Sequence, residues 1–268
     1  MDDDSGTGLP ASIEVAWGLR ERPNKGPRRG LSLQRIVEAA IGIAAADGLA
    51  AVSMSRLAAD LGVSTMALYR YVAAKDELLA LMVDATAASP PAAPAPGESW
   101  RDGLARWAWA ELGIYRRHPW VLRVPISGPP ATPNQVLWLE RGLRCLHDTG
   151  LAEGEKLSVM LLLTGFVRNW ARLEADLAEA AAASGASEQA AMSDYGRLLA
   201  RLTDKERFPA LHAVIEAGVL DEPDGPEDPD AEFVFGLERV LDGVEALVRA
   251  RGSDDQGEAR AGGQLPPV

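Results

Sequence analysis

Apolar residues recur along this chain at helical rather than strand spacing. Over Ser32–Asp47, residues Leu33, Ile36, Val37, Ala40, Ile41 and Ala44 follow an i, i+3, i+4, i+7, i+8, i+11 pattern and so share one face of a helix. Ser32 stands where an N-cap is needed, and Gly48 stands where a left-handed residue closes the helix. A second segment, Met54–Leu61, follows Ser53 and ends at Gly62. A third, Thr65 to about Val72, follows Ser64. A fourth runs from Lys75 to about Ala87, with Asp76 and Glu77 where the helix dipole favours acids, although Ala74 before it is a poor cap. No alternating β-branched run is long enough for a strand.

The stretch SPPAAPAPGES (89–99) holds four prolines and cannot continue a helix, so it reads as a linker. Beyond it, helices are expected over 99–118, 134–149, 153–182, 191–202, 209–217 and 231–249. Pro119 and a proline-rich loop interrupt the series, as does the acidic loop DEPDGPEDPD at 221–230. The expected architecture is all-α. Residues 1–30 form a flexible basic arm, 31–88 one helical domain, 89–250 a larger one, and 251–268 a disordered tail. The short stretch IEVAWGL (13–19) has the pattern of a small helix that docks Trp17, with no indication of where.

The pair of short helices around Gly62-Val63-Ser64 has the layout of a helix-turn-helix. Ala58 is small enough to let the helices approach, Gly62 can take positive φ, and Leu57, Leu61, Val63 and Leu68 supply an apolar seam. A helical hairpin used only for packing has the same spacing. The second helix differs in leaving Thr65, Met66, Ala67, Tyr69, Arg70 and Tyr71 outside the obvious core, a set suited to phosphates, thymine methyls and base edges.

Net charge at first argues against nucleic acid, because the 268 residues carry 27 Lys+Arg against 39 Asp+Glu, a formal −12. Divided along the chain, however, it changes sign. Residues 20–75 hold nine bases against four acids, a net +5, while 76–268 hold 18 bases against 31 acids, a net −13. A local basic module joined to an acidic larger one fits a DNA-binding end; exposed charge that merely solubilises fits as well. A single cysteine, Cys145, excludes an internal disulfide, and no apolar run approaches the ~18 residues of a membrane span. The acidic start lacks the features of a secretory leader, so a cytoplasmic protein is expected. There is no CxxC, no glycine-rich phosphate loop and no recognisable catalytic set, so catalytic residues, cofactors and metal ligands are all expected to be none.

Residues 31–88, and above all LGVSTMALYRYV followed by KDELL, resemble the DNA-binding domain of the tetracycline-repressor (TetR) family of bacterial regulators. FVFGLERVLDGVEAL (233–247) resembles the last helix of that family's C-terminal domain, and WRDGLARWAWAELGIYRRHPW fits less specifically. The resemblance implies an N-terminal three-helix helix-turn-helix DNA-binding domain and a larger C-terminal helical ligand-binding and dimerisation domain. It further implies a repressor that binds a palindromic double-stranded operator as a homodimer and is released by a small molecule. Carried over by position, Met54, Ser55, Thr65, Met66, Ala67, Tyr69, Arg70, Tyr71 and Lys75 would face DNA. Two positions depart from the family pattern: Ala74, where a capping side chain is usual, and Arg70, often aromatic or His.

Within the arm, Lys25, Arg28 and Arg29 either add phosphate or minor-groove contacts or belong to a solubilising tail. In the larger domain Glu111 falls on the apolar stripe of 99–118, where a carboxylate needs either an arginine such as Arg144 or Arg168 or a ligand. Trp107, Trp120 and Trp138 are core or pocket, and Thr164, Arg168 and Asn169 could supply a pocket's oriented polar groups. His118, His147 and His212 do not superpose on the family's magnesium-tetracycline pattern, so neither ligand nor metal is carried over. Dimerisation is expected through a four-helix bundle formed by the helix near 153–182 and the final helix 231–249 of each chain, with Leu237, Val240, Leu241 and Val244 as a near-heptad interface stripe and packing inside one chain as the alternative.

Overall fold

The computed structural model describes residues 8–19, 31–185, 187–221 and 228–261, and among these it contains no strand. The helices are α1 (Ala11–Ala16), α2 (Leu33–Asp47), α3 (Met54–Leu61), α4 (Thr65–Tyr69), α5 (Lys75–Thr86) and α6 (Trp100–Arg117). They continue as α7 (Pro133–Cys145), α8 (Glu153–Ser184), α9 (Glu188–Leu202), α10 (Pro209–Glu216) and α11 (Ala231–Ala261). Serine caps explain several starts directly. The Ser32 hydroxyl accepts from Arg35 N at 3.2 Å, Ser53 from Arg56 N at 3.2 Å, Ser64 from Ala67 N at 3.3 Å and Ser99 from Asp102 N at 3.1 Å.

Helices α2 to α5 close around Ile36, Ala40, Val52, Leu57, Leu68, Val72, Leu78 and Met82, all fully buried. Gly62 takes φ 66° and ψ 34°, the left-handed conformation that the turn between α3 and α4 requires. Val63 N then donates to Ala58 O at 2.9 Å, which fixes the angle between the two helices.

The chain forms two compact units, but they do not divide at the proline-rich linker. One comprises residues up to Arg168 together with Leu241 onward; the other is Asn169–Val240. Helices α2 to α5 therefore belong with α6, α7 and the first half of α8. The cause is a polar joint. Thr132, the residue before α7, makes no side-chain cap, and the buried Asp84 of α5 caps α7 instead. Its Oδ1 accepts from Asn134 N at 2.9 Å and Gln135 N at 3.1 Å, while Asn134 Nδ2 donates to Asp84 Oδ2 at 3.0 Å and Asp84 O at 3.1 Å. The Trp138 indole on α7 donates to Ala87 O at 2.8 Å, and the Trp107 indole on α6 donates to Trp138 O at 2.9 Å. Salt bridges place the end of α11 alongside these helices. Arg101 Nη2 meets Asp242 at 2.7 Å, and Arg251 Nε donates to Glu155 Oε1 at 3.0 Å.

In the second unit Phe233 is fully buried with its ring centroid 6.2 Å from that of Trp170. Leu220 packs so closely on Gly196 that a Cβ there would lie 2.9 Å from the leucine Cβ. The His212 ring bridges α10 to Thr203 Oγ1 at 3.0 Å.

Three sequence expectations need correction. The N-terminal arm is not wholly loose, because α1 is a helix with Ser12 and Ile13 buried. Helix α4 ends at Tyr69 rather than near Val72, as the chain tightens into a turn with Tyr71 N on Leu68 O at 2.8 Å. Helix α11 continues to Ala261, some twelve residues past the expected end at 249. Gly252 and Gly257 do not stop it, since each glycine costs only about 1 kcal/mol in a helix interior and the next prolines come at 266 and 267. The remaining arm and tail residues lie outside those described.

Replacing Asp84 with alanine leaves the first N–H groups of α7 uncapped at a half-buried helix end. It is expected to destabilise the chain by about 1–3 kcal/mol in urea unfolding, against a near-neutral change at the exposed Asp60.

Candidate DNA interface and effector site

The DNA-facing candidates are set by the cap and turn geometry of α3 and α4. Met66 is 71% exposed and Tyr69 46%, and Ser55, Arg70 and Lys75 are also exposed. Met54, Thr65 and Ala67 are half-buried along the same short elements. Tyr71 departs from the outward set. It is half-buried past the end of α4, and its hydroxyl donates to Leu31 O at 3.1 Å, so it holds the entry of α2. Lys25, Arg28 and Arg29 lie outside the described residues.

On the sensor side the tryptophans separate by what their N–H groups do. Trp107 and Trp138 pack edge-to-face with centroids 5.8 Å apart and donate within the protein, which makes them framework rather than ligand contacts. Trp120 is equally buried in the 3-10 turn Pro119–Arg123, yet its Nε1 meets no protein acceptor. The same holds for Nδ1 of His118, whose ring lies edge-on to Trp120 at 6.1 Å, and for Oε2 of Glu111. Buried polar atoms are normally paired, so Glu111, His118 and Trp120 stand out, together with Thr132 Oγ1, Arg141 Nε and Trp170 Nε1, which also lack a protein partner.

Glu111 is not in an ion pair of the expected kind. Its Oε1 accepts from the Tyr115 hydroxyl at 3.1 Å. The Arg168 guanidinium lies over the Tyr115 ring at 5.9 Å and donates to Val124 O at 3.1 Å and Leu122 O at 3.4 Å. Burial pushes the Glu111 carboxyl up to about 8, against the smaller lowering effects of the Tyr115 hydroxyl and the Arg168 charge. At neutral pH it is therefore mostly a neutral acid with a hydroxyl proton to donate. Burial, with Glu111 adding to it, also pushes the Tyr115 phenol up. Burial and the Arg117 charge hold the His118 imidazole below its ordinary value, so it stays neutral. With Glu111 and His118 neutral, the charges beside them are the guanidinium groups of Arg168 and Arg117. Of the other expected ligand residues, Thr164 is half-buried and Asn169 exposed, so Asn169 is not an interior group. The Tyr115 hydroxyl as partner of Glu111 was not foreseen, although their i, i+4 spacing carries the signal.

The expected dimer stripe is also corrected. Leu237, Leu241 and Val244 are 2%, 0% and 3% exposed within a single chain, so their heptad spacing serves internal packing; only Val240 is half-buried. The exposed apolar side chains lie elsewhere, on α8 at Leu157, Leu161 and Leu162 and on α11 at Val234 and Phe235.

Residues 36–82 match the DNA-binding domain described as bacterial regulatory proteins, tetR family. Residues 93–248 match the tetracyclin repressor-like C-terminal domain. The chain belongs to the tetracycline-repressor family. This TetR-family regulator is 37% identical over 250 residues to the HTH-type transcriptional repressor DrrR1 of Streptomyces coeruleorubidus, covering 92% of this chain and 90% of that one. Its fold is similar to apo ActR of Streptomyces coelicolor, with TM-score 0.68 and 27% identity over 85% of this chain and 99% of that one. ActR in complex with actinorhodin matches with the same TM-score and identity over 82% and 97% of the two chains. As a TetR-family member the chain is a DNA-binding transcriptional regulator. Among the described residues no helix is long and apolar enough to cross a membrane.

A raised carboxyl pKa carries a definite pH signature. Glu111 binds its proton more tightly folded than unfolded, so its stabilising contribution is full below about pH 4.5 and is lost as pH rises through about 8. Urea unfolding between pH 5 and 8 should show the wild type losing up to about 1.4 kcal/mol per pH unit relative to Glu111→Gln, which has no proton to lose. Parallel profiles would contradict the assignment.

Proposed function

We propose that the chain is a one-component repressor that binds a palindromic operator as a homodimer and leaves it when a small molecule occupies the site around Glu111, Tyr115, His118, Trp120 and Arg168. The observation that carries this reading is the set of buried polar atoms without protein partners at Glu111, His118 and Trp120. A neutral acid, an indole N–H and a guanidinium together suit a ligand rich in carbonyl or phenolic oxygens, with the flat rings of Tyr115 and Trp120 beside it. The ActR complex with actinorhodin and the repressor name of the 37%-identical relative support the same reading. Neither a catalytic step nor a cofactor enters it, and a cytoplasmic location goes with it.

At the DNA end, Ser55, Thr65, Met66, Ala67, Tyr69 and Arg70 read base edges and backbone, while Met54 and Lys75 flank them. Tyr71 acts by holding α2. Lys25, Arg28 and Arg29 add phosphate contacts from the arm. The signal from effector to DNA runs through the tryptophan chain. A shift of α6 moves Trp107 and with it Trp138, and α7 transmits the movement to α5 through Asp84 and Ala87 O.

Footprinting on the DNA upstream of the chain's own gene should show one protected inverted repeat, with affinity falling steeply as salt rises. Actinorhodin is the first probe. Release of the footprint by it in the wild type but not in Trp120→Phe supports the site, whereas uniform coating of the DNA would point to a packaging protein instead.

Dimerisation is assigned to the exposed leucines of α8. Leu161 is 76% exposed, so Leu161→Glu should give folded monomers by light scattering. The fully buried Leu241, changed to glutamate, should unfold the chain instead. A dimer unaffected by Leu161→Glu would remove α8 from the interface.

A further inference from the structure

Helix α5 carries Lys75 at its first position and follows the turn that closes α4, yet it starts without a side-chain cap. Its N-cap, Ala74, has the extended backbone of a capping residue, φ −144° and ψ 159°, almost the same as Ser53 before α3 at φ −141° and ψ 153°. Where Ser53 offers a hydroxyl, Ala74 offers nothing.

The structure shows what takes its place. Glu77, one turn into α5 and buried, reaches back so that its Oε2 accepts from Ala73 N at 2.6 Å. Its other oxygen is taken by α1, with Ser12 N donating to Oε1 at 3.2 Å and the Ser12 hydroxyl donating to the same atom. The buried carboxyl group thus spans two segments 65 residues apart. Helix α1 is anchored independently of that bond. Ile13 is buried, and at the other end the Trp17 indole donates to Ala131 O at 2.8 Å, just before α7.

We propose that Ser12 is a positioning residue for DNA binding. By holding Glu77 against Ala73, it fixes the turn between α4 and α5 and hence the placement of Arg70 and Lys75 on the phosphate backbone. Without the Ser12 hydroxyl, Glu77 keeps the bonds from Ala73 N and Ser12 N but loses the second donor that fixes its carboxyl on α1, and a turn with no hydroxyl cap of its own loosens. The proposal rests on the assignment of Lys75 and Arg70 to the DNA face.

The test uses the full chain and a 30-base-pair random-sequence duplex, which needs no known operator. Ser12→Ala is expected to weaken binding three- to tenfold at 100 mM salt and to flatten the log–log salt slope by about 0.9 for each phosphate no longer neutralised. The double variant Ser12→Ala/Ala74→Ser, which gives α5 its own hydroxyl cap, is expected to restore both affinity and slope. A purely structural role for α1 would not be repaired at that position.

An unchanged slope in Ser12→Ala, or a flattened slope that Ala74→Ser does not recover, overturns the proposal. If Ser12→Ala does not fold, amide exchange in the wild type decides. Peptides covering 9–14 and 70–77 must open together, and protection of 70–77 while 9–14 exchanges freely overturns it. If the wild type does not bind the duplex at all, the DNA-face assignment falls, and the joint exchange of the two peptides still judges the α1 cap by itself.

Discussion

One helix N-terminus in this protein is capped from elsewhere in the chain and the turn before another is steadied from there, and these long-range bonds hold its DNA-reading end to its sensor. Asp84 on α5 satisfies the first amides of α7, and Ser12 on α1 steadies the Glu77 that closes the turn before α5. An exposed helix end can leave its N–H groups to water. At the half-buried start of α7 the buried Asp84 takes them instead, so the donors of α7 fix where α5 must lie. The compact unit therefore runs through the proline-rich stretch without dividing there, and α5 belongs mechanically to both functions.

From that joint the sensor's chemistry follows a contrast between satisfied and unsatisfied groups. Trp107 and Trp138 resemble Trp120 in burial, but their N–H groups are committed to main-chain carbonyls and transmit position. Trp120, His118 and Glu111 carry polar atoms that the protein itself leaves unpaired. Burial raises the Glu111 pKa against the smaller lowering effects of Tyr115 and Arg168, and turns a carboxylate into a neutral acid with a proton to donate, which is why the proposed effector site is placed there. The tryptophan chain starts on α6, the helix that carries Glu111, so the proposed site and the joint to α5 share one helix.

The helix-turn-helix was legible because its determinants are local. Ser53, Ser64 and Gly62 act on residues within three or four positions, and an apolar stripe needs only a helix to become a face. The family resemblance was legible for the same reason, since it rests on contiguous residues of α4 and α5. Glu111 was also readable as a carboxylate on a buried stripe. Its partner was not, because choosing among Arg144, Arg168 and Tyr115 depends on how α6 and α8 approach each other.

The sequence by itself thus determined the all-α class, the position of the reading helix and a basic +5 segment within a chain of net −12. These follow from periodicity, capping and charge, which act over one or two turns. Tertiary structure alone decided which apolar stripe is internal: Leu237, Leu241 and Val244 vanish into their own chain while Leu161 stays exposed. It also decided that Asp84 and Ser12 serve helices 50 and 65 residues away. A hydrogen bond forms by proximity in space, and sequence spacing carries no information about proximity once the chain has turned back on itself.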